Sequence, residues 1–230
     1  MISSVQNERI KNYAKLNEKK YRDESNLFII EGLHLVEEAK KYNIIKEVIT
    51  TNPNIDGTLV SEEVMKKITN QKSVVEVCAI CEKLENKNIT DKILILDTIQ
   101  DPGNIGTLIR TAVSFGFNTI VMEACADIYS SKVLRATQGA IFKLNIINTN
   151  IIDFIKGLNG YKVYGTSLKN GKPLKTIEKA DKIAIILGNE GNGVREEILD
   201  ITDKNIFIEI DNMESLNVGI AGGILMYELK

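Results

Sequence analysis

The chain has 230 residues, 43% of them hydrophobic and 26% charged, enough for one large or two small domains with buried cores. A formal net charge of −2 excludes a surface that is basic all over. No apolar run approaches the roughly 20 residues of a membrane-spanning helix, and the opening MISSVQNERIKNYAK lacks the apolar core of an export signal, so the expected location is the cytoplasm.

A first helix is expected over residues 5–20, with Val5, Ile10, Tyr13, Ala14 and Leu16 partly on one face. Then follow a strand at Leu27-Phe-Ile-Ile30, a helix from Leu33 to Lys41, a strand from Ile44 to Thr50, a helix through Ile68 with Ser61 as N-cap, and a strand from Ser73 to Ile80. These elements make a small α/β domain, residues 1–84. The polar, aperiodic stretch 85–91 is the expected linker. Charge is uneven along the chain. Residues 1–23 carry Arg9, Lys11, Lys15, Lys19, Lys20 and Arg22 against Glu8, Glu18 and Asp23, a local net of +3. A basic first helix on a mildly acidic protein is either a contact for nucleic-acid phosphates or a solvated helix face.

The cysteines, Cys78, Cys81 and Cys125, are odd in number, which argues against a disulfide framework. Cys78-Ala-Ile-Cys81 has metal-binding spacing, but a structural zinc site needs about four Cys or His ligands. The chain offers only His34 beyond these three. The pair reads as small buried hydrophobes of a strand, and no metal site is expected. His34 sits in a helical pattern with no nucleophile loop beside it, so a Ser–His or Cys–His mechanism is not supported.

A second alternation begins at Lys92-Ile-Leu-Ile-Leu-Asp97, a continuous apolar run typical of a parallel strand covered on both faces. A helix is expected from about Ile105 to Gly116, with strands at Asn118–Met122, Tyr161–Thr166, Lys182–Leu187 and Asn205–Ile210. Further helices are expected near Ser131–Thr137, Ile151–Leu158, Val194–Leu199 and Leu216–Leu229. The pattern is α/β with a mostly parallel sheet over residues 92–230.

Three polar, glycine-rich stretches follow apolar runs and precede helical ones: Asp97 to Arg110, Leu187-Gly-Asn-Glu-Gly-Asn-Gly193, and Met213-Glu-Ser-Leu-Asn-Val218. Ligands of open α/β sheets bind outside the carboxyl ends of strands, so three such loops point to one composite site. They match neither the phosphate loop nor the dinucleotide fingerprint, and Glu190 would repel a phosphate. Gly103-Asn-Ile-Gly106 has GxxG spacing but lacks the helix–loop–helix context of an RNA-binding KH loop. The glycines suit backbone that approaches a ligand closely. Arg110 lies in an otherwise apolar or small-residue helix. Its guanidinium is either paired with a carboxylate, such as Glu190 or Asp97, or available to an RNA phosphate or hydroxyl. Asn104 and Ser215 are each well placed as helix N-caps.

As a set, Asn104-x-Gly106-x-x-x-Arg110-x-Ala112, Leu187-Gly-Asn-Glu-Gly and Ser215-Leu-Asn-Val resemble the three ordered motifs of the SpoU (TrmH-like) RNA ribose 2′-O-methyltransferases of the SPOUT superfamily. Val133-Leu-Arg-Ala-Thr-Gln-Gly-Ala-Ile-Phe-Lys143 resembles the family's segment between the first two motifs, and residues 1–80 resemble an L30e-like substrate-binding domain. The resemblance implies a parallel α/β domain with a C-terminal trefoil knot, a homodimer, and S-adenosylmethionine (SAM) held in the knot. By position, it assigns the cofactor to Thr166, Leu187, Gly188, Asn189, Gly191, Ile208, Ile210, Leu216, Asn217 and Val218. It implies that Arg110 activates the ribose hydroxyl and holds phosphate, that Asn104 and Glu190 position Arg110 and the ribose, and that Ser215 and Asn217 shape the site. RNA would be bound by Arg110 and the basic residues of the N-terminal segment, with ribosomal RNA a better match than transfer RNA to the front domain. Relatives often have Pro near Ile208-Glu209-Ile210 and Ser at Gly219. A non-catalytic RNA-binding or ribosome-assembly factor on the same scaffold is expected to have lost Asn104, Arg110, Glu190 or Asn217, and all four are present. A small-molecule binder leaves the basic first helix and the front domain unexplained.

Overall fold

The protein, seen as a computed structural model, is described for residues 1–85, 87–213 and 215–230. The expected linker and the third motif each contain one residue outside these, Asn86 and Glu214. The chain divides into two units, the first formed by Met1–Glu85 together with Asp127–Phe142 and the second by the remainder.

In the first unit the N-terminal basic segment is two helices, α1 (Glu8–Lys15) and α2 (Lys19–Ser25), in place of the single helix expected over 5–20. The break has a local cause. Asn17 turns its amide inward and donates to the carbonyls of Ala14 and Ile68 at 2.8 and 2.7 Å, which ends the helix against another element. Then come β1 (Leu27–Glu31), α3 (Leu33–Lys40), β2 (Ile45–Thr50), β3 (Thr58–Leu59), α4 (Glu62–Thr69) and β4 (Val77–Glu82). Ser61 caps α4 as expected, accepting from the N–H of Val64. Among the described residues the sheet has four strands in the order β1-β4-β2-β3. Ile10, Leu16, Ile29, Ile49, Val64, Met65 and Ile80 pack its core. Cys78 and Cys81 are fully buried in β4, and burial pushes the Cys81 thiol up to about 12 and that of Cys78 higher still, so both are inert hydrophobes. The returning segment carries α6 (Ser131–Thr137), held to this unit by two ion pairs, Asp127 with Arg22 and Arg135 with Glu31.

The second unit holds β5 (Lys92–Asp97), α5 (Pro102–Phe115), β6 (Thr119–Glu123), β7 (Asn145–Asn148), α7 (Ile151–Gly157), β8 (Lys162–Thr166) and β9 (Lys172–Pro173). It ends with β10 (Ile183–Leu187), α8 (Glu196–Leu199), β11 (Lys204–Phe207) and α9 (Val218–Leu229). The described strands form one sheet in the order β7-β6-β5-β10-β8-β11-β9, every pairing parallel. Continuous apolar runs form its middle because helices cover both faces there. Ile93 to Leu96 and Ile183 to Ile186 are fully buried. From β5 the chain steps outward through β6 and β7, while β10 lies on the other side of β5. The loops after β5 and β10 therefore diverge, leaving a crevice at the point where the strand order reverses.

Candidate active site

The crevice is built by four loops, after β5, β8, β10 and β11. The first loop turns sharply. Thr98 has φ of +58°, a left-handed backbone that is unusual for a β-branched residue. Helix α5 then begins at Pro102, capped by Asp101, whose carboxylate accepts from the N–H of Asn104 at 2.8 Å. Asn104 is thus inside the first turn and is not the cap that its type predicts. Its side chain is left to reach across the site. It donates through Nδ2 to Glu190 Oε1 at 2.8 Å and accepts through Oδ1 from Asn217 Nδ2 at 3.0 Å. One amide joins the three sequence motifs.

The expected cap Ser215 is likewise displaced by two residues. Asn217 caps α9, its Oδ1 accepting from the N–H groups of Gly219 and Ile220 while its amide N–H₂ serves Asn104. Gly219 admits this packing, since a Cβ there would lie 3.1 Å from both Asn217 Oδ1 and Thr107 Cγ2. Ser215 is exposed and lines the cavity below.

The loop after β10 is a tight turn. Asn189 and Gly193 exchange backbone hydrogen bonds, 3.1 Å from the Asn189 N–H and 2.8 Å from the Gly193 N–H. A Cβ on Gly188 would sit 2.1 Å from the backbone of Gly193 and Val194, so only glycine permits the closure. Asn189 stabilises the turn from within, accepting from the N–H of Gly191 at 2.9 Å and donating to the carbonyl of Thr98 at 3.0 Å.

Between this turn, the β8 loop and the segment after β11 lies a cavity of about 480 Å³, within the usual size range of small-molecule sites. Its walls include Thr166, Leu187, Gly188, Asn189, Gly191, Ile208, Ile210, Leu216 and Val218, so nine of the ten residues expected at the cofactor share one space. Asn217 stands outside that lining, as the cap and bridge already described. Ser167, Leu168, Asn192, Gly193, Phe207, Ala221 and Leu225 also line it. Asn192 and Gly193 belong to the second polar stretch, whereas Leu168, Phe207, Ala221 and Leu225 are apolar and gave no polar signal in the sequence. Strand β11 ends at Phe207, short of the expected Ile210, and the freed Ile208 and Ile210 turn into the cavity wall. The lining is an apolar slot edged by backbone N–H and C=O groups, which fits a flat heterocycle with polar edges such as the adenosyl group of SAM.

Arg110 is exposed on α5, off the face that buries Ile105, Leu108, Ile109 and Ala112. Among the described residues no side chain pairs with it. The two carboxylates considered as partners are engaged elsewhere, Glu190 by Asn104 and Asp97 by Arg195. Of the two alternatives the sequence left open, the ion pair is not found among the described residues, and the structure does not bring Arg110 into the Asn104 chain.

The basic N-terminal residues divide. Arg22 is a correction to the expected RNA-facing set. It is 5% exposed, donates to the Leu16 carbonyl and pairs with Asp127. Lys11, Lys19 and Lys20 make exposed intrahelical pairs with Glu8, Asp23 and Glu24, and Lys15 stacks on Tyr21. Arg9, half-exposed, pairs with Glu47, whose side chain is only 12% exposed. Among the described residues no group of three or more His, Cys, Asp or Glu is placed to hold a metal ion.

Comparison with known proteins agrees with this geometry. A model of the MRM3-like substrate-binding domain matches residues 7–79. The 23S rRNA (guanosine(2553)-2′-O)-methyltransferase RlmP of Bacillus subtilis is 38% identical over all of this chain and 98% of its own length. An AdoMet-bound rRNA methyltransferase from Sinorhizobium meliloti superposes with a TM-score of 0.87 at 30% identity, covering 99% of this chain and 96% of that one. A solved RNA 2′-O ribose methyltransferase does so with a TM-score of 0.82 at 27% identity, covering 99% of this chain and 97% of that one. The model of the SpoU rRNA methylase family matches residues 91–227, more than half of the chain, and the protein belongs to that family.

Proposed function

We propose that the protein transfers a methyl group from SAM to a ribose 2′-hydroxyl of ribosomal RNA. The observation that carries this reading is the Glu190–Asn104–Asn217 hydrogen-bond chain, which joins the three motifs beside a cavity sized for SAM. SAM supplies the methyl group as an activated sulfonium. Thr166, the turn 188–193 and the apolar wall of Ile208, Ile210 and Leu216 hold the cofactor and exclude water from it. Asn104, fixed at both ends of its amide, orients Glu190 and Asn217 toward the ribose, and Ser215 shapes the RNA side of the site. Arg110, exposed and without a side-chain partner among the described residues, supplies a permanent cation that lowers the energy of the developing 2′-alkoxide and holds a neighbouring phosphate. A protonated guanidinium cannot take the proton itself, so the 2′-hydroxyl proton would pass to water late in the step, as the C–O bond forms, the S–CH₃ bond breaks and the neutral thioether S-adenosylhomocysteine leaves.

The finer assignments belong to the same reading. Residues 1–84 bind the RNA, with Arg9, Lys11, Lys15, Lys19 and Lys20 meeting phosphates, 85–91 link, and 92–230 carry the chemistry. The segment after β11 threads the preceding loops as a trefoil knot. Exposed Ile220 and Tyr227 on α9 support a homodimer that covers them. The full-length likeness to the B. subtilis enzyme supports a guanosine of large-subunit rRNA as the first target to test, in the cytoplasm. Among the described residues no helix is long and apolar enough to cross a membrane.

The test is transfer of labelled methyl from SAM to unmodified bulk RNA separated by size, with Arg110→Ala alongside. Label is expected in an alkali-resistant dinucleotide of rRNA. The variant should lose about 10²–10³-fold in rate while keeping SAM binding and thermal stability, because its side chain is exposed and has no side-chain partner among the described residues. Label in transfer RNA alone, or an Arg110→Ala protein with near-normal turnover, would overturn the respective assignment.

A further inference from the structure

The turn that faces the cavity is tied down at both of its feet by two consecutive residues at the end of β5. At its start, Asn189 Nδ2 donates to the Thr98 carbonyl at 3.0 Å. At its end, Arg195 is held by Asp97 twice, through its backbone N–H to Oδ2 at 2.9 Å and through Nε to Oδ1 at 2.8 Å. The guanidinium then reaches Glu123 at the end of β6, Nη2 to Oε2 at 2.6 Å. Asp97 is fully buried, and Glu123 is fixed by the Ile151 N–H and by Asn150, each at 2.9 Å. Two strand ends of the parallel sheet thus hold Arg195, and its remaining arm, Nη1, meets the exposed Glu197 at 3.2 Å. Val194 between them is 6% exposed, and Gly188 packs on its backbone. Five residues separate the two feet, and Glu190 and Gly191 stand at the crest.

We infer that Arg195, gripped by Asp97 and Glu123, is a positioning residue that holds the 188–194 turn in the shape that receives SAM and presents Glu190 to Asn104. This rests on the proposed SAM-dependent activity. None of the three residues lines the cavity, so none touches the cofactor. Their effect passes through the turn. The guanidinium spans two carboxylates with donors in one fixed plane, Nε to Asp97 and Nη2 to Glu123, which arginine supplies and lysine does not. Burial pushes the Glu123 carboxyl up, but the Ile151 N–H and the Arg195 guanidinium outweigh it and hold it ionised.

The test is SAM affinity of the full chain by calorimetry without RNA, joined to kcat and KM for SAM on unmodified rRNA. Arg195→Ala should weaken SAM binding about tenfold or more, since a displacement of about 1 Å suffices for losses of that order. Its kcat at saturating SAM should fall less than its affinity, because Glu190 keeps its direct bond to Asn104 while the turn beside SAM loses its tie. Arg195→Lys should fall between the two. If Arg195→Ala does not fold, Glu123→Gln removes one arm only and should still raise KM for SAM. Unchanged SAM affinity in every folded variant overturns the inference. So does a loss of kcat and melting temperature with KM unmoved, which is a structural role alone. A wild-type protein that binds no SAM sinks the proposed function as well. A wild-type protein that binds SAM but methylates no RNA, with Arg195→Ala still weakened, upholds the inference and sinks only the reaction.

Discussion

At the residue scale, function rests on side chains released from structural work that their types predict. Asn104 and Ser215 have cap chemistry, yet Asp101 and Asn217 do the capping. Asp101 precedes a proline at the first helical position, the arrangement a helix start favours, and this frees Asn104 for the site. Asn217 does both, because an asparagine amide offers an acceptor to the helix and donors to Asn104. Two carboxylates give a pH prediction. Glu123 sits below its ordinary value of 4.5. Asp23, hydrogen-bonded to Lys19 and Lys83, is lowered to about 2 from 3.8. A depressed carboxylate stabilises the native state above its unfolded pKa and loses that contribution as pH falls through the folded one. The melting temperature should be flat with respect to these groups at neutral pH and drop between about pH 4.5 and 2. The larger part should come from Glu123, since Asp23 is half-exposed and its pairs are screened. Melts of Glu123→Gln across that range should show a shallower fall.

At the element scale, the longer helices and strands were largely written in the apolar pattern. Lys92–Asp97 and Ser131–Thr137 form over the expected residues, since a doubly buried strand and a capped helix are specified locally. Short edge elements such as β3, β7 and β9 were not legible, because neighbouring strands supply what their own sequences lack. Turns depended on contacts between distant residues. Gly188 is the sharpest case. Adding a methyl there drives it into the backbone of Gly193 and Val194, whereas a Cβ at Gly223 meets nothing nearer than 3.7 Å. Gly188→Ala should therefore lose SAM binding by more than about 100-fold, with Gly223→Ala close to wild type. Calorimetry on the two, with circular dichroism to confirm folding, checks this.

At the scale of the whole molecule, a net charge of −2 conceals a +3 segment over residues 1–23. The structure removes Arg22 from the RNA-facing set, leaves Lys11, Lys15, Lys19 and Lys20 in exposed contacts, and ties half-exposed Arg9 to the largely buried Glu47. Exposed pairs of this kind are worth about 0.2–1 kcal/mol, little enough for RNA phosphates to displace the carboxylates. With about −0.7 per single-stranded phosphate neutralised, five cations predict a log–log slope of affinity against salt of about −3 to −4. Replacing Lys11, Lys15, Lys19 and Lys20 together by glutamine should flatten it to about −1. Binding titrations over a range of KCl concentrations read this directly, and an unchanged slope would place the RNA elsewhere.

By itself the sequence determined the α/β class, the succession of buried strands and capped helices, and the three polar loops, because hydrophobic periodicity and capping act over a few residues. Tertiary structure decided how those loops combine. It assigned the caps to Asp101 and Asn217, buried Arg22, split the first helix at Asn17, and tied Arg195 to Asp97 and Glu123. Each of these is settled by partners dozens of residues away or by which of two good capping residues the packed helix can use, and no local pattern encodes that choice.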